Sequence, residues 1–244
     1  MSDHGPTGYE RVEACVEDIL SRVGKRIVLG LPLGLGKPNH FVNELYRRAR
    51  EDAEIDLTIC TALSLEKPAW SSDLERRFLE PFVERMFGGC VELDYLADLR
   101  HSRVPSNVTI KEFYHKAGSF LNLRHAQENY ISSNYTHAFR DIVDNGANVI
   151  AQMVCKGTQD GRTVYSLSCN PDVTLDVARA LRQQEAAGTP VAIVAQTNQK
   201  LPFMYGDAVV EPEMFTAVID NPAYHHRLFG APKMAVTTVD YLIG

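Results

Sequence analysis

Apolar side chains recur along the chain with two periods that alternate. In residues 9–23, Val12, Val16, Ile19 and Leu20 share one face of a 3.6-residue period and Gly24 follows as a stop signal, which predicts a leading helix. Residues 26–29 are a short apolar run entering a glycine-rich turn. Residues 38–50 then place Phe41, Val42, Leu45 and Ala49 on one helical face, after a proline suited to a helix start. Residues 56–62 read as a second strand, and 72–86 as a longer amphipathic helix with Leu74, Phe78, Leu79, Phe82 and Met86 on one face. Residues 108–110 read as a strand, whereas 111–133, rich in aromatics and histidines, show no clean period. Further on, 149–154 and 164–167 read as strands, 173–187 as a helix, 191–196 as a buried strand and 213–219 as a short helix.

Strands that alternate with helices imply parallel pairing, because each parallel connection crosses a face of the sheet. The predicted fold class is therefore α/β, an open, mostly parallel sheet with helices on both faces. No Gly, Ser and Pro run separates two halves, so residues 24–244 are expected to form one domain preceded by the leading helix of residues 1–23. Residues 234–243 are apolar and β-rich, as in a final strand or in a multidomain chain cut short.

Composition narrows the functional classes. The apolar fraction of 45% is enough for a sizeable core, while a net charge of -6 with no basic cluster argues against nucleic acid as a partner. Cys15, Cys60, Cys90, Cys155 and Cys169 are scattered without CxxC spacing, which argues against a disulfide framework or a zinc site and for free thiols in a cytoplasmic protein. Residues 1–8 are polar, and no apolar run is long enough to cross a bilayer, so no membrane association is expected.

The loop from Gly30 to Pro38 is the most suggestive local feature. A phosphate-binding Walker loop needs glycine where Leu31 stands and Ser or Thr where Pro38 stands, and a dinucleotide fingerprint needs glycine where Asn39 stands. Neither fits. What remains is general: Gly34 and Gly36 permit close backbone approach, Pro38 opens a helix whose free N–H groups favour an anion, and Lys37 adds a charge there. A tight turn that needs glycine for its dihedrals explains the loop equally well. The histidines lack HExxH spacing, so no metal site is predicted, and no GxSxG elbow occurs.

The last third carries a resemblance. Ser166-Leu167-Ser168, Asn170, the helix over 173–187, the run from Pro190 through Gln196-Thr197-Asn198 to Leu201-Pro202, and Gly206-Asp207 resemble the N-terminal domain of the acetyl-CoA hydrolase/transferase family. Its strand V-I-x-E-V-N followed by x-x-M-P, a glycine and Asp-x-Pro is matched in order by Asn198, Pro202, Gly206, Asp220 and Pro222, with Gln196 in place of Glu and Leu201 in place of Met. Gly30, Gly34, Gly36 and Pro38 resemble its first strand-to-helix turn. The resemblance spans 24–244, is densest after Asn148 and thinnest over 69–131.

This resemblance implies a CoA-transferase-like fold in which two α/β domains enclose an acyl-CoA thioester. A glutamate attacks the thioester to give an acyl-glutamyl anhydride and then a glutamyl-CoA thioester, which a carboxylate or water resolves. That glutamate belongs to the family's C-terminal domain, so no catalytic residue is expected here. The implied substrate-lining residues are Gly34, Gly36, Lys37, Gln196, Asn198, Pro202 and Gly206. Coenzyme A enters as substrate, with no other cofactor. The implied partners are acyl-CoA, small carboxylates and a second CoA-transferase domain or subunit in an oligomer. The alternative is a stand-alone module that binds a CoA ester or carboxylate without catalysis, toward which the amide at Gln196 leans by removing a charge. The loops Gly30 to Pro38 and Asn198 to Gly206 are expected to be neighbours at one end of the sheet, since both follow strands.

Overall fold

A computed structural model describes residues 5–228 and 237–243. In chain order the elements are β1 (Thr7–Tyr9), α1 (Val12–Val23), β2 (Arg26–Gly30), α2 (Asn39–Glu51), β3 (Asp56–Thr61), α3 (Asp73–Phe87), α4 (Asp94–Arg100), β4 (Val108–Glu112), α5 (Arg124–Glu128), α6 (Ala138–Asp144), β5 (Val149–Gln159), β6 (Arg162–Ser166), α7 (Thr174–Ala186), β7 (Ala192–Thr197), β8 (Val209–Val210), β9 (Ala217–Ile219) and α8 (Thr238–Ile243). Seven strands lie in the order β1-β9-β7-β5-β2-β3-β4, every neighbouring pair parallel. The far half of β5 leaves this sheet and pairs antiparallel with β6, which pairs antiparallel with β8. The α/β fold with an open, mostly parallel sheet is therefore present.

The continuous apolar strands have a simple cause: both faces of the sheet are covered. Ile27, Leu29, Leu57, Ile59 and Val194 point to one side, against Val16 and Ile19 of α1, Leu45 of α2 and Leu96 of α4. Val28, Cys60, Ile150, Ile193 and Ala195 point to the other, against Ile142 of α6 and Val177 and Leu181 of α7. The leading helix is built into the first of these cores, and β1 before it extends the sheet beside β9.

Two readings need correction. Residues 213–219 form a 3-10 turn at Pro212–Met214 and then strand β9, not a helix: Ala217-Val218-Ile219 sits between β7 and β1, where a β-rich apolar triplet gains pairing on both edges. The final strand offered as one of two readings of 234–243 falls partly outside the described residues, and the described part, Thr238–Ile243, is helical. Helix α3 forms as predicted, with Ser72 Oγ accepting from Glu75 N as its cap, but its apolar face looks outward, with Leu74 80% and Phe78 82% exposed.

Candidate functional site at the C-terminal edge of the sheet

All seven parallel strands end on one edge, so the loops after β2, β3, β4, β5–β6 and β7 crowd together there. The loop after β2 turns through a short 3-10 segment, Gly34–Gly36, in which Gly34 has φ +56°, a left-handed value that favours glycine. At Gly36 the reason for glycine is contact. A Cβ there would stand 2.8 Å from Asn170 Oδ1 and 2.9 Å from Asn170 Cβ, so this backbone packs against the loop between β6 and α7.

Lys37 folds inward. It is 1% exposed, and its Nζ donates to the carbonyls of Ala62 at 2.7 Å and Leu63 at 3.3 Å, tying the loop after β2 to the loop after β3. Burial pushes its ammonium down to about 7, against the opposing charges of Glu112 and Asp172.

Gln196, at the end of β7, is fully buried and bridges to the start of α2. Its Oε1 accepts from Phe41 N at 3.2 Å and its Nε2 lies 3.1 Å from His40 Nδ1. Burial, and then the neighbouring His226, pushes His40 down to about 4. The ring is thus neutral, and Nδ1 accepts from the Gln196 amide. An amide is the group this position needs, because it must donate to one partner and accept from the other.

Asn198 is fully buried as well: its Nδ2 donates to His226 O at 3.0 Å and lies 3.2 Å from Met153 Sδ, while its Oδ1 accepts from Lys200 N at 3.0 Å. Pro202 is exposed and its carbonyl accepts from Ser168 Oγ at 2.8 Å; Gly206, also exposed, begins the turn into β8.

The seven sequence-predicted residues therefore share one edge in distinct settings. Lys37, Gln196 and Asn198 are buried with partners inside the protein, Gly36 faces Asn170, and Gly34 lines open space. The loops after β2 and β7 meet through intermediaries. The loop between β6 and α7 touches Gly36 through Asn170 and Pro202 through Ser168, and a cleft shared by Gly34 and Leu35 is closed by Met153 and His226, the two groups Asn198 holds.

Beside Gly34 opens a cavity of about 430 Å³, bounded by Leu35, Leu63, Tyr114, Asn134, Cys169 and other side chains. Of these, the sequence singles out Cys169 only as one of five scattered thiols, and the wall from Tyr114 to Tyr135 comes largely from the aperiodic middle region. Cys169 is exposed, whereas Cys15, Cys60, Cys90 and Cys155 are buried. Among the described residues no group of three or more His, Cys, Asp or Glu is placed to hold a metal ion, and no helix is long and apolar enough to cross a membrane.

No known family and no curated protein matches the sequence. Solved structures do resemble the fold. RipA from Yersinia pestis superimposes with a TM-score of 0.60 at 17% identity, over 95% of this chain and 45% of its own. A point mutant of RipA gives 0.59 at 17% identity, over 91% and 43%. A 4-hydroxybutyrate CoA-transferase from Porphyromonas gingivalis gives 0.46 at 16% identity, over 88% and 40%. The chain spans less than half the length of each of these proteins. At such identities the likeness concerns architecture alone, an α/β fold shared with RipA.

Proposed function

We propose that this chain is the N-terminal half of an acyl-CoA:carboxylate CoA-transferase or an acetyl-CoA hydrolase. In this reading the loop edge of the sheet is one wall of the acyl-CoA cleft, and the nucleophilic glutamate comes from a second domain or subunit. The observation that carries the reading is the superposition on RipA, which takes in 95% of this chain but only 45% of that one. The open space beside Gly34 suits a ligand held against backbone, as a thioester requires. The alternative of a stand-alone binding module drew on the missing charge at Gln196. That amide is already engaged by His40 and Phe41, which accounts for it without reference to a ligand.

Two measurements test the proposal. The purified chain, given acetyl-CoA and short carboxylates, is expected to show no CoA transfer or thioester hydrolysis above a no-enzyme control; turnover by this chain alone refutes it. The coding sequence downstream, or an adjacent gene, is expected to encode a glutamate-bearing α/β domain whose product, mixed with or fused to this chain, gives thioester turnover. A folded pair without turnover also refutes it.

A further inference from the structure

Among the described residues, four buried side-chain atoms have no hydrogen-bond partner: Glu112 Oε2, both ring nitrogens of His115, and Ser119 Oγ. All lie within residues 112–119, at and just beyond the end of β4. Buried polar groups are hydrogen-bonded almost without exception, and each one left unpaired is costly. All four sit in one short segment that borders a cavity.

The surrounding shell is already built. Glu112 is 2% exposed, and its Oε1 accepts from Ser64 Oγ. Because Ser64 gives its only proton to that carboxylate, the Tyr95 hydroxyl, 2.6 Å away, donates to Ser64. The other carboxylate oxygen faces His115 Nδ1 at 3.3 Å, close enough for a charge contact but outside hydrogen-bond geometry. A carboxylate beside Nδ1 keeps a proton on that nitrogen, so Nε2 is the ring atom left for a ligand. Arg100 donates to Ser119 O, lies 4.4 Å over the Phe120 ring and is bound to Glu66, which clamps the segment carrying Ser119.

His115 and Ser119 line a cavity of about 510 Å³ whose apolar wall includes Phe120, Leu121 and Tyr130, and the exposed Lys116 also lines it. We propose that this cavity binds a small aliphatic monocarboxylate, whose oxygens accept from the His115 ring and the Ser119 hydroxyl while its hydrocarbon part lies on Phe120, Leu121 and Tyr130. The ligand faces Nε2 while Glu112 faces Nδ1, so the ring lies between two carboxylates. Lys116 adds a cationic side chain at the cavity wall, which a monoanion complements. An alcohol of the same length would fill the cavity without that match. The site shares only Tyr114 with the cavity beside Gly34.

The test is a titration of the isotope-labelled full chain with butyrate, followed at the backbone amides of residues 116–119, with 1-butanol as the comparison. Butyrate is expected to give a saturable shift there and 1-butanol none. Ser119→Ala should weaken butyrate binding about tenfold, the loss of one charge-assisted hydrogen bond. His115→Phe should abolish binding, while His115→Gln, which keeps an N–H donor, should retain part of it; amide spectra unchanged elsewhere confirm that each variant is folded. The proposal is overturned if butyrate gives no saturable shift, if 1-butanol gives the same one, or if Ser119→Ala binds butyrate as tightly as the native chain. No coenzyme A enters the experiment, so its failure leaves the acyl-CoA proposal standing, and the reverse also holds.

Discussion

Replacing Lys37 by methionine separates the two effects that meet at this side chain. Its ammonium is held at about 7, whereas an exposed lysine titrates near 10.5. Between those values the unfolded chain binds a proton that the folded chain does not, so this group makes the protein more stable as pH rises through that window. From pH 7 to pH 9 the gain is about 2 kcal/mol. Methionine has similar length and no charge, so the variant loses this pH dependence. It also leaves the Ala62 and Leu63 carbonyls without their donor, at a cost of about 1–3 kcal/mol that does not change with pH. Thermal unfolding of both proteins at pH 7, 8 and 9 reads the difference. The melting temperature of the native chain should move ahead of the variant by about 4–8 °C across that range, on top of whatever constant offset the lost hydrogen bonds produce. Parallel pH profiles for the two proteins would show that Lys37 titrates like an exposed lysine, and the account of its burial would fall.

Other perturbations address the remaining contacts. Gln196→Glu should destabilise the protein by about 1–3 kcal/mol near neutral pH, because a carboxylate cannot donate to His40 Nδ1, and urea unfolding measures the loss. The loss should shrink as pH falls toward 4, where the His40 ring gains a proton and can donate to the introduced carboxylate. Gly36→Ala should cost about 1–3 kcal/mol through overlap with Asn170, and adding Asn170→Gly should recover part of it; independent, additive losses would exclude that contact as the cause. Thiol titration of the native protein should modify Cys169 quickly and the four buried cysteines only on unfolding, so rapid loss of all five thiols would contradict the packing.

The architecture was legible because its cause is periodic. A sheet covered on both faces writes its strands as short unbroken apolar runs, and the helices over it repeat with their own period. What escaped has local causes. Helix α3 carries an apolar stripe that predicts burial, yet Leu74 and Phe78 face outward, since amphipathicity shows which residues share a face and not what covers it. The hairpin joining β5 to β6 did leave a mark, the Asp160-Gly161 pair with φ of 50° and 76°, which a search for two-residue turns finds. Residues 111–133 have no period because turns and irregular chain surround the short helix α5. The Gln196 partnership was out of reach for another reason: Phe41 stands 155 residues earlier, and only the folded sheet brings the two together.

Strand β5 belongs to two structures at once. Val149 to Val154 are pinned in the parallel sheet beside β7, while Cys155 to Gln159 hold the antiparallel ribbon of β6. Such a strand is a cantilever: it is anchored at one end between two parallel neighbours in the sheet and continues at the other into the ribbon that leads to the segment contacting both Gly36 and Pro202. A displacement of those loops toward or away from a ligand must bend this beam or break its junction. The loop edge is therefore tied to the sheet that supports it, and under the proposed function its shape would be set before a ligand arrives.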